Sequence, residues 1–205
     1  MAKLYVTKHA RPSKIERRCY RCRELVLDGE PFAYMGFKTG VGGFYRYWCK
    51  DHMQPKLSEM TSNPRLQTIA QTGEQVEEAI GGFLSDNSLG SKEDLVSALE
   101  SAAEEIRGVA EEYTKSADNI EEGFGHATQQ SDESREKGEA LGEWADALES
   151  AAQEIRDIEP EPDEEPESKS ESKDGEEDDE EPELSEDQIN EIISLAEDAL
   201  QSEPS

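Results

Sequence analysis

Apolar positions along this chain follow two different periods. Between residues 30 and 49 they come in short strand-length runs around a glycine-rich break. "EPFAYMGF" reads as a strand, "KTGVGG" as a turn and "FYRYWC" as the returning strand. "CKDHMQPK" then reads as the first turn of a short helix. "SNPR" at 62–65 marks a boundary, and beyond it the period becomes helical. Leu66, Ile69, Val76, Ile80 and Phe83 fall at helical spacing, with the glycine pair 81–82 weakening the end of that helix. A longer helix is expected to open at Ser91, with Asp94 three residues on as a near capping box.

That longer helix carries a heptad seam. Leu99, Ile106, Tyr113 and Ile120 recur every seven residues, with Leu95, Ala102 and Val109 on the adjacent line. The pattern then repeats. "LVSALESAAEEIRGV" (95–109) and "WADALESAAQEIRDI" (144–158) are identical at nine of fifteen positions, at an offset of 49 residues. Seven whole heptads separate the copies, so the seam keeps its phase. Trp144, Leu148, Ala151, Ile155 and Ile158 are the second stripe. Neither stripe is buried by its own helix. The two fold back as an antiparallel hairpin across a break at 122–138, or they pair between chains as a homo-oligomer.

Residues 159–183 have no apolar period at all. They are Pro, Glu, Asp, Ser and Lys with one Gly, hold 15 acids and 2 lysines, and are expected to stay extended by self-repulsion. A helical period returns at the end, where Ser185 and Gln188 form a capping box. Ile189, Ile192, Ile193, Ala196, Ala199 and Leu200 then share one face. A short amphipathic helix beyond a flexible linker has the form of a docking motif for an unknown host or viral protein, with Ile189, Ile192, Ile193 and Leu200 as its contact residues. The alternative is that this helix closes the chain's own bundle.

The expected organisation is thus a head at 1–62, a linking helix at 63–90, a repeated helical hairpin or coiled coil at 91–158, an acidic linker at 159–183 and a terminal helix at 184–205. The fold class is a small α+β zinc-stabilised head (β-hairpin plus short helix), an all-α coiled-coil-like body and a disordered acidic tail.

Charge sharpens this division. The 205 residues carry a formal net charge of -29. Residues 1–65 hold 13 Lys and Arg against 6 Asp and Glu, a formal +7; residues 66–205 hold 8 against 44, a formal -36. A basic head is attached to an acidic body. No apolar run is long enough to span a membrane and no secretory h-region is seen, so the cytoplasm, or that of an infected host cell, is the expected compartment.

Chemistry concentrates in the head. All three cysteines and one of three histidines make C-x2-C-x26-C-x2-H: Cys19, Cys22, Cys49 and His52. Two short steps, each presenting two ligands from a tight turn, meet the tetrahedral requirement of Zn2+. The fourth ligand being histidine accounts for the odd cysteine count. A head of this size buries little core, and metal binding supplies folding free energy that the core lacks. A redox C-x2-C would want a strand-helix setting that is absent, and four protein ligands leave no open position for catalysis. No G-x-S-x-G, P-loop, G-x-G-x-x-G or H-E-x-x-H motif occurs, so no enzyme is expected. The basic and aromatic composition raises nucleic acid as a second class of partner, with Arg17, Arg18, Arg21, Arg23 and Arg46 as candidate contacts. Against that, half of a strand's aromatics belong to its core, and arginines beside thiolates balance charge.

The opening "MAKLYVTKHARPS", the C-x2-C and the "GFKTGVGGFYRYWC" hairpin resemble a group of small proteins of tailed bacteriophages, especially those infecting actinobacteria. The resemblance covers roughly residues 1–65 and extends more loosely to the acidic helical body. It implies a viral origin and a zinc-finger-like head, and it implies no activity.

Overall fold

The computed structural model describes residues 4–8, 10, 16–39, 42–160 and 184–204. Most of the expected acidic linker (161–183) lies outside the described residues, as does the tip of the hairpin turn. The chain divides into two compact units, 1–71 and 72–205, each with its own core.

The first unit is built on a three-stranded antiparallel sheet of order β1-β2-β3, with β1 at Leu4–Thr7, β2 at Phe32–Thr39 and β3 at Gly42–Trp48. The hairpin is the one its alternation foretells. The first strand is an addition: Leu4 pairs with Met35 and Thr7 with Phe32. Four residues are too short a run to announce a strand by pattern alone. Alternation sends Ala33, Met35, Phe37 and Trp48 to one buried face, where Leu4, Tyr20, Met53 and Met60 pack against them. Phe32 goes to the other face and joins Cys19, Cys49, Val26 and Ala10 in a second small core. The expected short α-helix after Cys49 is a 3-10 turn at Lys50–His52, followed by another at Leu57–Met60. Within the described part of 1–62 there is no α-helix.

The long helix α1, Pro64–Asp86, contains the division between the units. Its first half leaves Leu66 exposed; its second half buries Val76, Ile80 and Phe83. There Thr72 donates to Glu105 at 2.8 Å, and Gly73 lies against the Leu200 side chain.

The second unit is dominated by α2, Leu89–Phe124, and α3, Gln129–Asp157. The N-cap of α2 is Ser88, three residues earlier than expected. Its hydroxyl accepts from the Ser91 amide at 3.1 Å, while the Ser91 hydroxyl accepts from the Ser88 amide at 3.0 Å. Ser91 is therefore the reciprocal partner in the box, not the cap itself. The break between the helices is also shorter than expected. Gly125 ends α2 in the left-handed region at φ 72° and donates to Glu121, and Thr128 with Ser131 caps α3.

The two repeat copies pack antiparallel inside one chain. Leu95, Leu99, Ile106, Leu148 and Ile155 are completely buried. Each such side chain contributes about 1.5–3 kcal/mol relative to exposure. Repetition gives the pair an internal two-fold character. Arg107 reaches Glu149 at 2.6 Å, and its counterpart 49 residues on, Arg156, reaches Glu100 at 2.5 Å, the counterpart of Glu149. At the loop end the helices approach closely: a Cβ on Gly138 would stand 2.8 Å from Thr114 Oγ1 and 3.0 Å from the Ala110 carbonyl oxygen. Tyr113 and Ile120, at the same end of the seam, are only half-buried.

The terminal helix α4, Glu186–Gln201, has the expected box, with Ser185 and Gln188 exchanging hydrogen bonds. Its destination is the bundle of the second unit, the alternative to a docking role. Ile192 and Ala196 are completely buried within the second unit, and Ile189, Ile193 and Leu200 are half-buried. The indole N–H of Trp144 donates to the Ala199 carbonyl oxygen at 3.0 Å, in the last turn of the helix, where that oxygen also accepts from the Ser202 amide at 3.3 Å. The apolar face that was expected to seek a partner packs in part on the chain's own α3, with Leu200 against Gly73 of α1. No described helix is long and apolar enough to cross a membrane.

Candidate metal centre

The first pair of ligands sits on a short knuckle. Arg18 and Leu25 form an antiparallel bridge, Cys19 donates to the Glu24 carbonyl oxygen at 2.8 Å, and Arg23 donates back to the Cys19 carbonyl oxygen at 3.0 Å. Closing so tight a turn requires Arg23 at φ 65°, in the left-handed region. The knuckle is then fastened to the sheet, because the Tyr20 amide donates to the Tyr47 carbonyl oxygen at 2.6 Å. The second pair follows β3 directly. Cys49 is extended, and the 3-10 turn returns His52, whose amide donates to the Cys49 carbonyl oxygen at 3.0 Å.

Cys19, Cys22, Cys49 and His52 converge, with their ligand atoms all within 4.8 Å of one another. The spacing can be compared with a metal tetrahedron. Zinc–sulfur bonds of about 2.3 Å imply sulfur–sulfur edges of about 3.8 Å, and zinc–nitrogen bonds of about 2.0–2.1 Å imply mixed edges of about 3.5 Å. Cys22 Sγ and Cys49 Sγ are 3.8 Å apart; His52 Nδ1 lies 3.3 Å from Cys49 Sγ and 3.7 Å from Cys19 Sγ. A disulfide would need about 2.05 Å between sulfurs, so all three cysteines are free. The four residues therefore form a group that can hold a metal ion.

The electrostatics suit a cation. Burial pushes the Cys19 thiol up, but the amides of Cys49, Cys22 and Arg21 outweigh it and draw the thiol down to about 6. For Cys22 the Glu24 amide favours the thiolate, yet burial and the neighbouring sulfurs of Cys19 and Cys49 prevail and push it up to about 11. Sulfurs packed at tetrahedral edges repel as thiolates, and a bound cation relieves that repulsion.

Beside this group is a carboxylate that the sequence pattern does not reveal. Glu59 is buried on the second 3-10 turn and gathers four donors. Arg21 donates to both its oxygens at 2.9 and 2.7 Å, the Trp48 indole N–H at 3.1 Å and the Lys56 amide at 2.9 Å. Burial alone would raise its carboxyl, but the Arg21 contacts, with the Lys56 amide and Trp48, hold it below its ordinary value. Arg21 lies between Cys19 and Cys22 in sequence, so this ion pair pins the knuckle to the chain that follows His52. Arg46 completes the junction. It donates to the carbonyl oxygens of Glu59 and Thr61 at 2.6 and 2.8 Å, and its guanidinium lies over Tyr20 and Phe37, 4.4 and 4.7 Å from the ring centroids.

These contacts give the basic residues partners within the head. Arg21 and Arg46 are internal fasteners. Arg17 lies over Phe32, Arg23 over Tyr20, and Arg18 pairs with Glu16. All five candidate nucleic-acid contacts thus have partners inside the head. Arg11 and Lys14, part of the same basic run, lie outside the described residues. A carboxylate in a short Met-, Ser- and Thr-bearing stretch gives no pattern to read; its only advance sign is one acid in a segment otherwise poor in charge.

No family model, curated protein or solved structure matches the chain.

Proposed function

We propose that this is a non-enzymatic, viral zinc-binding interaction protein whose head is a structural zinc module. The convergence of Cys19, Cys22, Cys49 and His52 carries this reading. Three thiolates and an imidazole are a borderline-soft donor set suited to Zn2+, and a complete set of four protein ligands leaves no position for a reacting water. Zinc would then join the knuckle to the end of β3 and contribute folding free energy to a unit with two small cores. Reduced thiols in such a site fit a reducing, cytoplasmic setting. The resemblance of residues 1–65 to phage proteins supports the viral origin. An oligomerising body and an acidic docking tail belong to the same reading; their apolar faces are largely occupied within one chain. The test is elemental analysis of purified protein together with chelation. One zinc per chain, and loss of the Trp48 near-UV signal on its removal, are expected. A metal-free protein whose head stays folded in chelator would overturn the reading.

A further inference from the structure

The sheet of the head has an aromatic face that is only partly absorbed by a core: Tyr34 and Tyr47 pack against the cluster of Cys19, Phe32 and Cys49, while Tyr5 and Tyr45 stay exposed. Tyr5, Tyr34 and Tyr47 stand side by side across the three strands, and Tyr45 is opposite Gly36. Their rings form one continuous surface. Tyr5 and Tyr34 are stacked at 5.2 Å between centroids with 17° between planes, Tyr34 and Tyr45 are 6.2 Å apart, and Tyr45 and Tyr47 are 6.3 Å apart. Phe32 anchors the lower end in the core beside Cys19 and Cys49, while the upper end is open, with Tyr45 60% and Tyr5 47% exposed. Glycine at 36 lets the Tyr45 ring lie close over the sheet: a Cβ there would stand 3.0 Å from that ring, which would have to shift slightly.

Charge decides what such a surface suits. The chain has 50 Asp and Glu, and none of those among the described residues falls on a strand. Exposed Lys38 shares the tyrosine face by alternation, and the Arg17 guanidinium lies over Phe32 at its other end. Exposed aromatic rings flanked by cations, on strands that carry no carboxylate, match a partner with flat π-faces and a negative backbone. Duplex bases have their faces already stacked, whereas single strands offer them. We infer that the tyrosine face binds single-stranded nucleic acid, with bases stacked on the exposed rings of Tyr5 and Tyr45 and phosphates near Lys38 and Arg17. This rests on the head being the folded module of the proposed function, and it assigns that module a ligand.

The test is fluorescence anisotropy of labelled oligothymidylate and oligouridylate with the full chain, at about 0.1 M salt, where a Debye length of about 10 Å screens the acidic body. Zinc content and near-UV signal are measured on the same samples. Tyr45→Ala and Tyr5→Ala should each weaken binding about tenfold. Tyr45→Phe, which keeps the ring, should bind like the wild type, and so should Phe124→Ala, an exposed control in the second unit. Four outcomes would overturn the inference: no oligonucleotide binding, unchanged affinity in both alanine variants, equal affinity for the matching duplex, or self-association lost on Tyr45→Ala in place of oligonucleotide binding. The zinc ratio decides the metal reading independently, so a zinc-loaded head that ignores single strands removes this ligand and leaves the module.

Discussion

The two units of this chain keep their shape by different means. In the second, Leu95, Leu99, Ile106, Leu148 and Ile155 vanish from solvent along one continuous seam, and surface ion pairs such as Arg107–Glu149 add little. In the first, the buried apolar residues split into two small clusters on opposite faces of a three-stranded sheet. Directional groups stand at the ends instead: four convergent side chains that can hold a metal ion, and the Glu59 carboxylate with its four donors. A long amphipathic repeat distributes its stability over many interchangeable methyl groups. A short sheet concentrates it in a few groups that nothing else can replace.

The strongest break in this comparison is Cys49→Ser. Removing one ligand should unfold the first unit, seen as loss of the Trp48 near-UV signal and of bound metal, while most far-UV helix signal survives. If the helix signal collapses as well, the two units are one cooperative structure. Next in size is Leu99→Asp. An unpaired carboxylate in a fully buried seam should destabilise the second unit by about 3–5 kcal/mol in denaturant melts, with zinc content unchanged. Sedimentation of the wild type should give a monomer, because both seams are already covered; a dimer dispersed by the same substitution would show that the repeats exchange between chains.

Glu59→Gln sharpens the contrast at one residue. It keeps the shape but removes the charge facing Arg21, and should cost the head roughly 2 kcal/mol, less than a fully buried pair because Arg21 is partly exposed. A pH signature follows. The Glu59 carboxyl is held below its ordinary value, so its contribution is present above the unfolded value near 4.5 and is lost as pH falls through the lower folded value. Acid titration of the Trp48 signal should show that loss in the wild type and not in Glu59→Gln. The smallest effect is expected from Lys92→Met. The buried ammonium donates to the carbonyl oxygens of Arg156 and Ile158 at the end of α3. Losing this cap should lower the stability of the second unit by about 1 kcal/mol.

Some of this was legible residue by residue. The spacing of Cys19, Cys22, Cys49 and His52 names a ligand set because a two-residue step fixes two side chains on one turn. Glycines between alternating runs name a hairpin. The 49-residue offset names two equivalent seams, because whole heptads preserve phase. In each case the information is local or strictly periodic, so covalent geometry is enough to carry it.

What only the tertiary structure decided is where long-range partners lie. Arg21 and Arg46 read as a nucleic-acid surface until Glu59, 38 and 13 residues away, is folded against them. The apolar face of α4 is the same in sequence whether it meets a partner or its own bundle; Trp144, 55 residues before Ala199, supplies the answer. The repeat permits pairing within or between chains, and the four-residue loop from Gly125 to Thr128 lets it close at home, where a short connection costs little entropy. Periodicity tells which face of an element must be covered. Which segment covers it depends on contacts distant in sequence, each weighed against the loop closure that brings it there.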